Sequence, residues 1–240
     1  MKKVFDILSW LMLITVIVLL MAFSVKKQKA VDCKVFEVVV AQSENHFVNE
    51  KTINNLLKDK NLHPLGKIKT EIAIDEMEKS IVNHTLIKEV NAYSDIAGNV
   101  AVEIVQKRPI ARIFTAINSF YIDENGKKMP LSNAFTARTL VISGNVNFTE
   151  KGALFSLARF IDEHAFWKAQ IMQIHGEENG DLTLIPRVGY QQIVFGKAVN
   201  IEAKFSKLKL FYEKGISEKG WNNYSQINLK FKNQIVCTKK

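Results

Sequence analysis

The chain has 240 residues, 47% hydrophobic and 24% charged, enough apolar material for a buried core and too much charge for a polytopic membrane protein. Its formal charge of +9 is compatible with nucleic acid, an anionic lipid surface or simple solubility. The lysines run along the whole chain and no basic stretch interleaves with aromatics, which argues against a nucleic-acid groove and for loose attraction to lipid headgroups.

Residues 7–25 carry no charge. As a helix they would span about 28 Å, close to a hydrocarbon core, with backbone bonds closed inside the segment and Trp10 near one interface. A cleaved signal peptide is the alternative, but the apolar run exceeds a typical h-region and no small-x-small site follows it. Residues 1–6 then form a short tail. Lys26, Lys27 and Lys29 outnumber Lys2 and Lys3, so charge counting alone would place the C-terminal side in the cytoplasm. Long C-terminal domains translocate despite such local charge, and charge does not fix the topology.

From 33 to 106 the pattern reads strand, helix, helix, strand, strand. Residues 35–40 are rich in β-branched side chains. Asn49 is placed to cap a helix whose Ile53, Leu56 and Leu57 share one face, with Asn61 and Pro64 stopping it. Asp75 with Glu78 forms a capping-box pattern for a second helix that buries Met77 and Ile81. Val90 and Ala92 lie on one arm of a hairpin, Ala97, Gly98 and Asn99 at its turn, and Val100, Val102 and Ile104 alternate on the return. The expectation is a three-stranded sheet backed by two helices.

From 107 to 240 the pattern is mostly strands with two helices. Short strands are expected at 110–115, 119–123 and 140–142, with a turn at Asp123 to Gly126. Leu154, Leu157, Ala158 and Ile161 mark an amphipathic helix. Strands follow at 169–174, 181–185 and 191–195. A second helix turns Ile201, Phe205, Leu208 and Tyr212 inward and Lys204 and Lys207 outward, and strands at 225–230 and 234–238 close the chain.

Catalytic groupings are absent from the sequence. It has no Gly-rich phosphate loop, no nucleophile elbow and no H-E-x-x-H. The five histidines, His46, His63, His84, His164 and His175, are scattered without metal-ligand spacing. His164 reads as a helix C-terminal cation and the Asp123/Glu124 pair as turn chemistry. Cys33 and Cys237 are too few for a disulfide framework and read as independent thiols, a bond between them being the alternative. No cofactor, metal or small-molecule substrate is expected, and the chain is read as a non-enzyme that works through its surfaces.

Val102-Glu103-Ile104-Val105-Gln106-Lys107-Arg108-Pro109-Ile110-Ala111 resembles the I-x-V-x-E-R-x-P-x-A junction of the bacterial cell-division family FtsQ/DivIB. Tyr121 to Gly126 is similar to that family's hydrophobic-Asp-x-x-Gly element. Leu140 to Gly144 is similar to its L-P-x-x-x-G element without the proline. Tyr224 to Phe231 stands where the family has a Y-x-x-V-D-L-R-Y strand, with Asn228 in place of the acid and Lys230 in place of the arginine.

The resemblance implies an α+β protein of the bacterial inner membrane: a single transmembrane helix (7–25), a POTRA domain (33–106, β-α-α-β-β) and a mixed β-domain (107–240), both extracytoplasmic. It implies a divisome scaffold that assembles with FtsB-like and FtsL-like proteins, the last strands accepting a segment of FtsB by strand addition. The positions carried over are Lys230, Phe231 and Val236, with Ile235 their neighbour. Phe231 and Val236 also read as ordinary core residues. A POTRA-containing secretion or outer-membrane transport factor is the second reading, and an anchored hydrolase the third.

Overall fold

In the computed structural model the described residues are 10–21, 31–41, 45–216, 220 and 223–240. Helix α1 (10–21) is the middle of the apolar run, and its side chains, Trp10 to Met21, are exposed. Among the described residues no helix is long and apolar enough to cross a membrane. Residues 7–9 and 22–25 of the expected span, and the tail 1–6, lie outside them. The chain divides between Gln106 and Lys107 into two compact units.

The first unit follows the order read from the sequence: β1 (Phe36–Val40), α2 (Glu50–Asp59), α3 (Ile74–Val82), β2 (Ile87–Ser94) and β3 (Val100–Gln106). Strand β3 lies centrally, parallel to β1 and antiparallel to β2. Ile53 and Leu57 of α2, Met77 and Ile81 of α3 and Val102 and Ile104 of β3 are fully buried, each such side chain being worth roughly 1.5–3 kcal/mol. The Asn49 side chain caps α2, accepting from the Thr52 N–H at 3.0 Å. The chain leaves α2 through Asn61 in the left-handed region, φ 58°. A buried amide closes the unit: Gln106 accepts from the Val48 N–H at 2.8 Å and donates to the Asn45 carbonyl at 3.1 Å.

The expected capping box on α3 does not form. The helix starts two residues early, with Ala73 in place of Asp75 at its N-cap and no side-chain cap. Glu78 is thereby carried beyond reach of the N-cap amide, and its carboxylate instead accepts from the Ala92 N–H of β2 at 2.6 Å.

The second unit is built on one nine-stranded sheet. Its elements in chain order are β4 (Pro109–Phe114), β5 (Ser119–Asp123), β6 (Lys128–Met129), β7 (Leu140–Gly144), α4 (Ala153–Glu163), α5 (Ala165–Gln170), β8 (Ile171–Gly176), β9 (Leu182–Pro186), β10 (Gln192–Gly196), α6 (Ile201–Phe211), β11 (Tyr224–Asn228) and β12 (Val236–Lys239). The strand order is β12-β11-β10-β9-β8-β7-β4-β5-β6. Register places Ile113, Ile142, Ile174, Leu184, Ile193, Ile227 and Cys237 in one row across seven strands. Together with Leu157, Ala158 and Ile161 of α4 and Phe205 and Leu208 of α6, this row belongs to one buried core. The Asp123 carboxylate serves the β5–β6 turn, accepting from the amides of Asn125 and Lys127 at 2.9 and 2.8 Å.

Two expectations for this unit are corrected. A third helix, α5, stands where the sequence reading began a strand at 169. Trp167 is buried there, 4.7 Å from the Phe205 ring, and this anchors the extra turn. Lys204 points inward, not outward. Its Nζ donates to the carbonyls of Phe195 and Lys197, both at 2.8 Å, and sits 4.5 Å over the Phe195 ring. Burial, reinforced by Lys207, holds its pKa below that of an ordinary lysine. The lysines do run along the whole chain, thirteen over 1–106 and fifteen over 107–240, but all five arginines fall in 107–240, so that unit carries twenty basic and eleven acidic side chains against thirteen and thirteen in the first.

Candidate functional site

The residues singled out in the sequence converge on one end of the large sheet. Its two edges differ in kind. At one end β6 is only two residues long, too short to template another strand. At the other, β12 pairs with β11 on one side, and among the described residues no strand pairs with its other side.

Backbone direction along β12 follows from two contacts. The Leu229 N–H donates to the Val194 carbonyl of β10 at 2.9 Å, which leaves Gln226 and Asn228, on the alternate positions of β11, facing β12 opposite Thr238 and Val236. The Lys240 N–H donates to the Asn223 carbonyl at 3.2 Å. The even-numbered residues therefore turn their backbone groups toward β11. On that alternation Cys237 presents its own to the open side.

Of the four residues, only Val236 lies within a strand, as the first residue of β12. Lys230 and Ile235, expected in strands at 225–230 and 234–238, fall with Phe231 in the connection between β11 and β12. Strand β11 stops at Asn228 because the Asn228 side chain accepts from the Lys230 N–H at 3.0 Å, turning the chain. Phe231 and Val236 are 46% and 43% exposed, which removes the reading of these two as core residues. Ile235 is half-buried and packs on the core together with Cys237. The Lys230 ammonium is ion-paired with Asp181 at 2.8 Å, and the Phe231 carbonyl accepts from Lys207 Nζ.

Both cysteines are free thiols, Cys33 buried and Cys237 half-buried. Burial pushes both pKa values up. Residues 197–240 hold ten lysines and three carboxylates, so the stretch of chain that carries β12 is strongly basic. Missed by sequence reasoning were Asp181 and Lys207, which are sequence-distant from Lys230 and Phe231 and carry no local pattern that marks them.

A further polar cluster lies on β7 and β8, where Ser143 Oγ is 3.3 Å from His175 Nδ1 and accepts from Gln173 Nε2 at 2.8 Å. Among the described residues no group of three or more His, Cys, Asp or Glu side chains is placed to hold a metal ion.

Two family models match the chain. A POTRA-like domain is matched over residues 31–105, and "FtsQ/DivIB, C-terminal related" is matched over residues 108–238, more than half of the chain. No curated protein matches it. With a POTRA-like unit leading into an FtsQ-type sheet, the chain belongs to the FtsQ/DivIB family, membrane-associated proteins with a role in cell division.

Proposed function

We propose that this chain is a non-catalytic scaffold of the division machinery that receives a strand from a partner on the open side of β12. The observation that carries the proposal is the geometry of that edge. Strand β12 ends a nine-stranded sheet with one side that no strand among the described residues pairs, and Phe231 and Val236 are exposed beside it. An added strand would satisfy the outward backbone groups of Cys237, and the exposed apolar side chains would select among sequences. The lysine excess over 197–240 favours an acidic segment.

In this reading residues 1–6 are a cytoplasmic tail and 7–25 a single membrane helix of the bacterial inner membrane. A POTRA domain over 33–106 and a β-domain over 107–240 lie on the extracytoplasmic side. The exposed apolar surface of α1 supports the anchor. The partners are small single-helix division proteins of the FtsB and FtsL type, which fits the family's role in division.

The test is affinity capture of the full-length protein from its own cells, wild type against Ile235→Pro. Proline removes a backbone N–H just ahead of β12, where an added strand would continue past Val236. The expected result is loss of the FtsB-like and FtsL-like chains with the melting transition of the β-domain retained. Their undiminished recovery with a folded variant would refute the proposal. Recovery of secreted or outer-membrane proteins instead would move the assignment to the transport reading. The structure supplies an observation against that second reading, since Glu78 already occupies one outward N–H, that of Ala92, on the β2 edge.

A further inference from the structure

Lys230 occupies the position that the family resemblance assigns to partner contact, yet its ammonium is already engaged within the chain. It lies 2.8 Å from Asp181 Oδ2, while Lys197 approaches Oδ1 of the same carboxylate at 3.5 Å. The Asp181 backbone is fixed at the β8–β9 turn: its N–H donates to Asn179 Oδ1 at 2.8 Å, and its carbonyl accepts from the Glu177 N–H at 2.9 Å. To reach it, the Lys230 stem passes over the end of β10 at Gly196. A Cβ at that position would come within 2.8 Å of Lys230 Cγ. Glycine leaves the channel through which the lysine crosses.

Other ties act on the same connection. The Leu229 N–H donates to the Val194 carbonyl at 2.9 Å, and Lys207 of α6 donates to the Phe231 carbonyl. What they hold is a strand with little hold of its own. Strand β12 has four residues, of which only Cys237 is not exposed. A short edge strand with little buried surface sits at the low end of local stability. A strand-accepting edge that is ordered beforehand avoids the ordering penalty at the moment of binding.

We propose that Lys230 is a positioning residue, not a partner contact. With Asp181 as its post and Gly196 as the gap it crosses, it latches the β11–β12 connection across β10 and keeps the β12 edge ordered, Lys207 being the second tie. The consequence for partner capture rests on the proposed role of β12; the latch itself does not. The two ideas differ in the sign of one substitution. If Lys230 met an acidic partner directly, Asp181→Asn would free the ammonium and strengthen binding. As a latch post, its loss loosens the edge.

The experiment is hydrogen–deuterium exchange on the full-length protein in detergent micelles, comparing wild type, Asp181→Asn, Lys230→Met, the double variant and Lys230→Arg. The Val236 and Thr238 amides, which face β11, are the probes. Expected is exchange about threefold faster in each single variant, as for a partly exposed ion pair. The double variant should be no faster than either single one, since both remove the same interaction. Lys230→Arg should restore much of the protection, and β4 to β8 should be unchanged throughout. Unchanged or slower exchange at Val236 and Thr238 in Asp181→Asn would overturn the latch. This readout needs no partner, so its failure is distinguishable from failure of the capture experiment.

Discussion

Replacing Asp162 with alanine is expected to destabilise the 107–240 unit by about 2 kcal/mol. Asp162 sits in the last turn of α4 with its side chain 8% exposed, and Arg108 grips it with Nη1 on Oδ1 at 3.0 Å and Nη2 on Oδ2 at 2.8 Å. Lys168 of α5 adds a contact to Oδ1 at 2.9 Å, and Arg108 Nε lies 3.4 Å from Glu124. The network thus fastens the first residues of the unit to two helices and the β5–β6 turn. Breaking a fully buried pair costs about 3–5 kcal/mol and an exposed pair at most about 1. Arg108 and Lys168 both reach water, and alanine removes the buried charge without stranding it, which places the loss between those limits.

The assay is urea unfolding of the full-length protein in micelles, with Trp10 and Trp221 replaced by Phe so that buried Trp167 is the sole fluorophore. The pH dependence gives a second check. Burial raises the Asp162 pKa, but the Arg108 and Lys168 hydrogen bonds and charges outweigh it and hold the group below its ordinary 3.8. A depressed carboxylate contributes stability above its unfolded pKa and loses it as pH falls through the folded value. The gap between wild type and Asp162→Asn should therefore shrink as pH drops below about 4. A loss under about 0.5 kcal/mol in the alanine variant, or a gap that persists undiminished at pH 2, would refute the assignment.

Two further substitutions probe the two units separately. Phe205→Ala empties the space between Phe160, Trp167 and Phe195, whose ring centroids lie 4.9, 4.7 and 5.4 Å away, and should cost about 3–5 kcal/mol in the same Trp167 assay. Gln106→Ala leaves the Val48 N–H without its acceptor and should cost about 1–3 kcal/mol. Hydrogen exchange should show that loss in residues 45–59 and β3, with β7 to β10 unaffected.

Much of this architecture was legible because hydrophobic periodicity records which face of an element is buried. The alternation Val100, Val102, Ile104 gave β3, and Leu154, Leu157, Ala158 and Ile161 gave the buried face of α4. Periodicity does not record which strands lie side by side. The parallel pairings β4 with β7 and β10 with β11 bring together residues about thirty apart, and no local signal specifies them. Lysine misleads for a different reason. Its long apolar stem can lie in a core while its ammonium finds carbonyls, so Lys204 reads as surface and folds inward.

At the candidate edge, Val236 was placed in a strand correctly. Lys230 was not, because Asn228 bonds back to the chain just where the pattern suggested the strand would continue, and Ile235 falls one residue short of β12.

The row that begins at Ile113 and runs through six more strands has an unfinished end. Its last member is the Cys237 thiol, half-buried at the rim where every earlier member is fully covered. A strand laid outside β12 would lengthen the row by one place and move Cys237 from rim to interior. The molecule thus carries a native gauge of its own occupancy: the rate at which a maleimide finds Cys237 should fall when the edge is filled and recover when it empties.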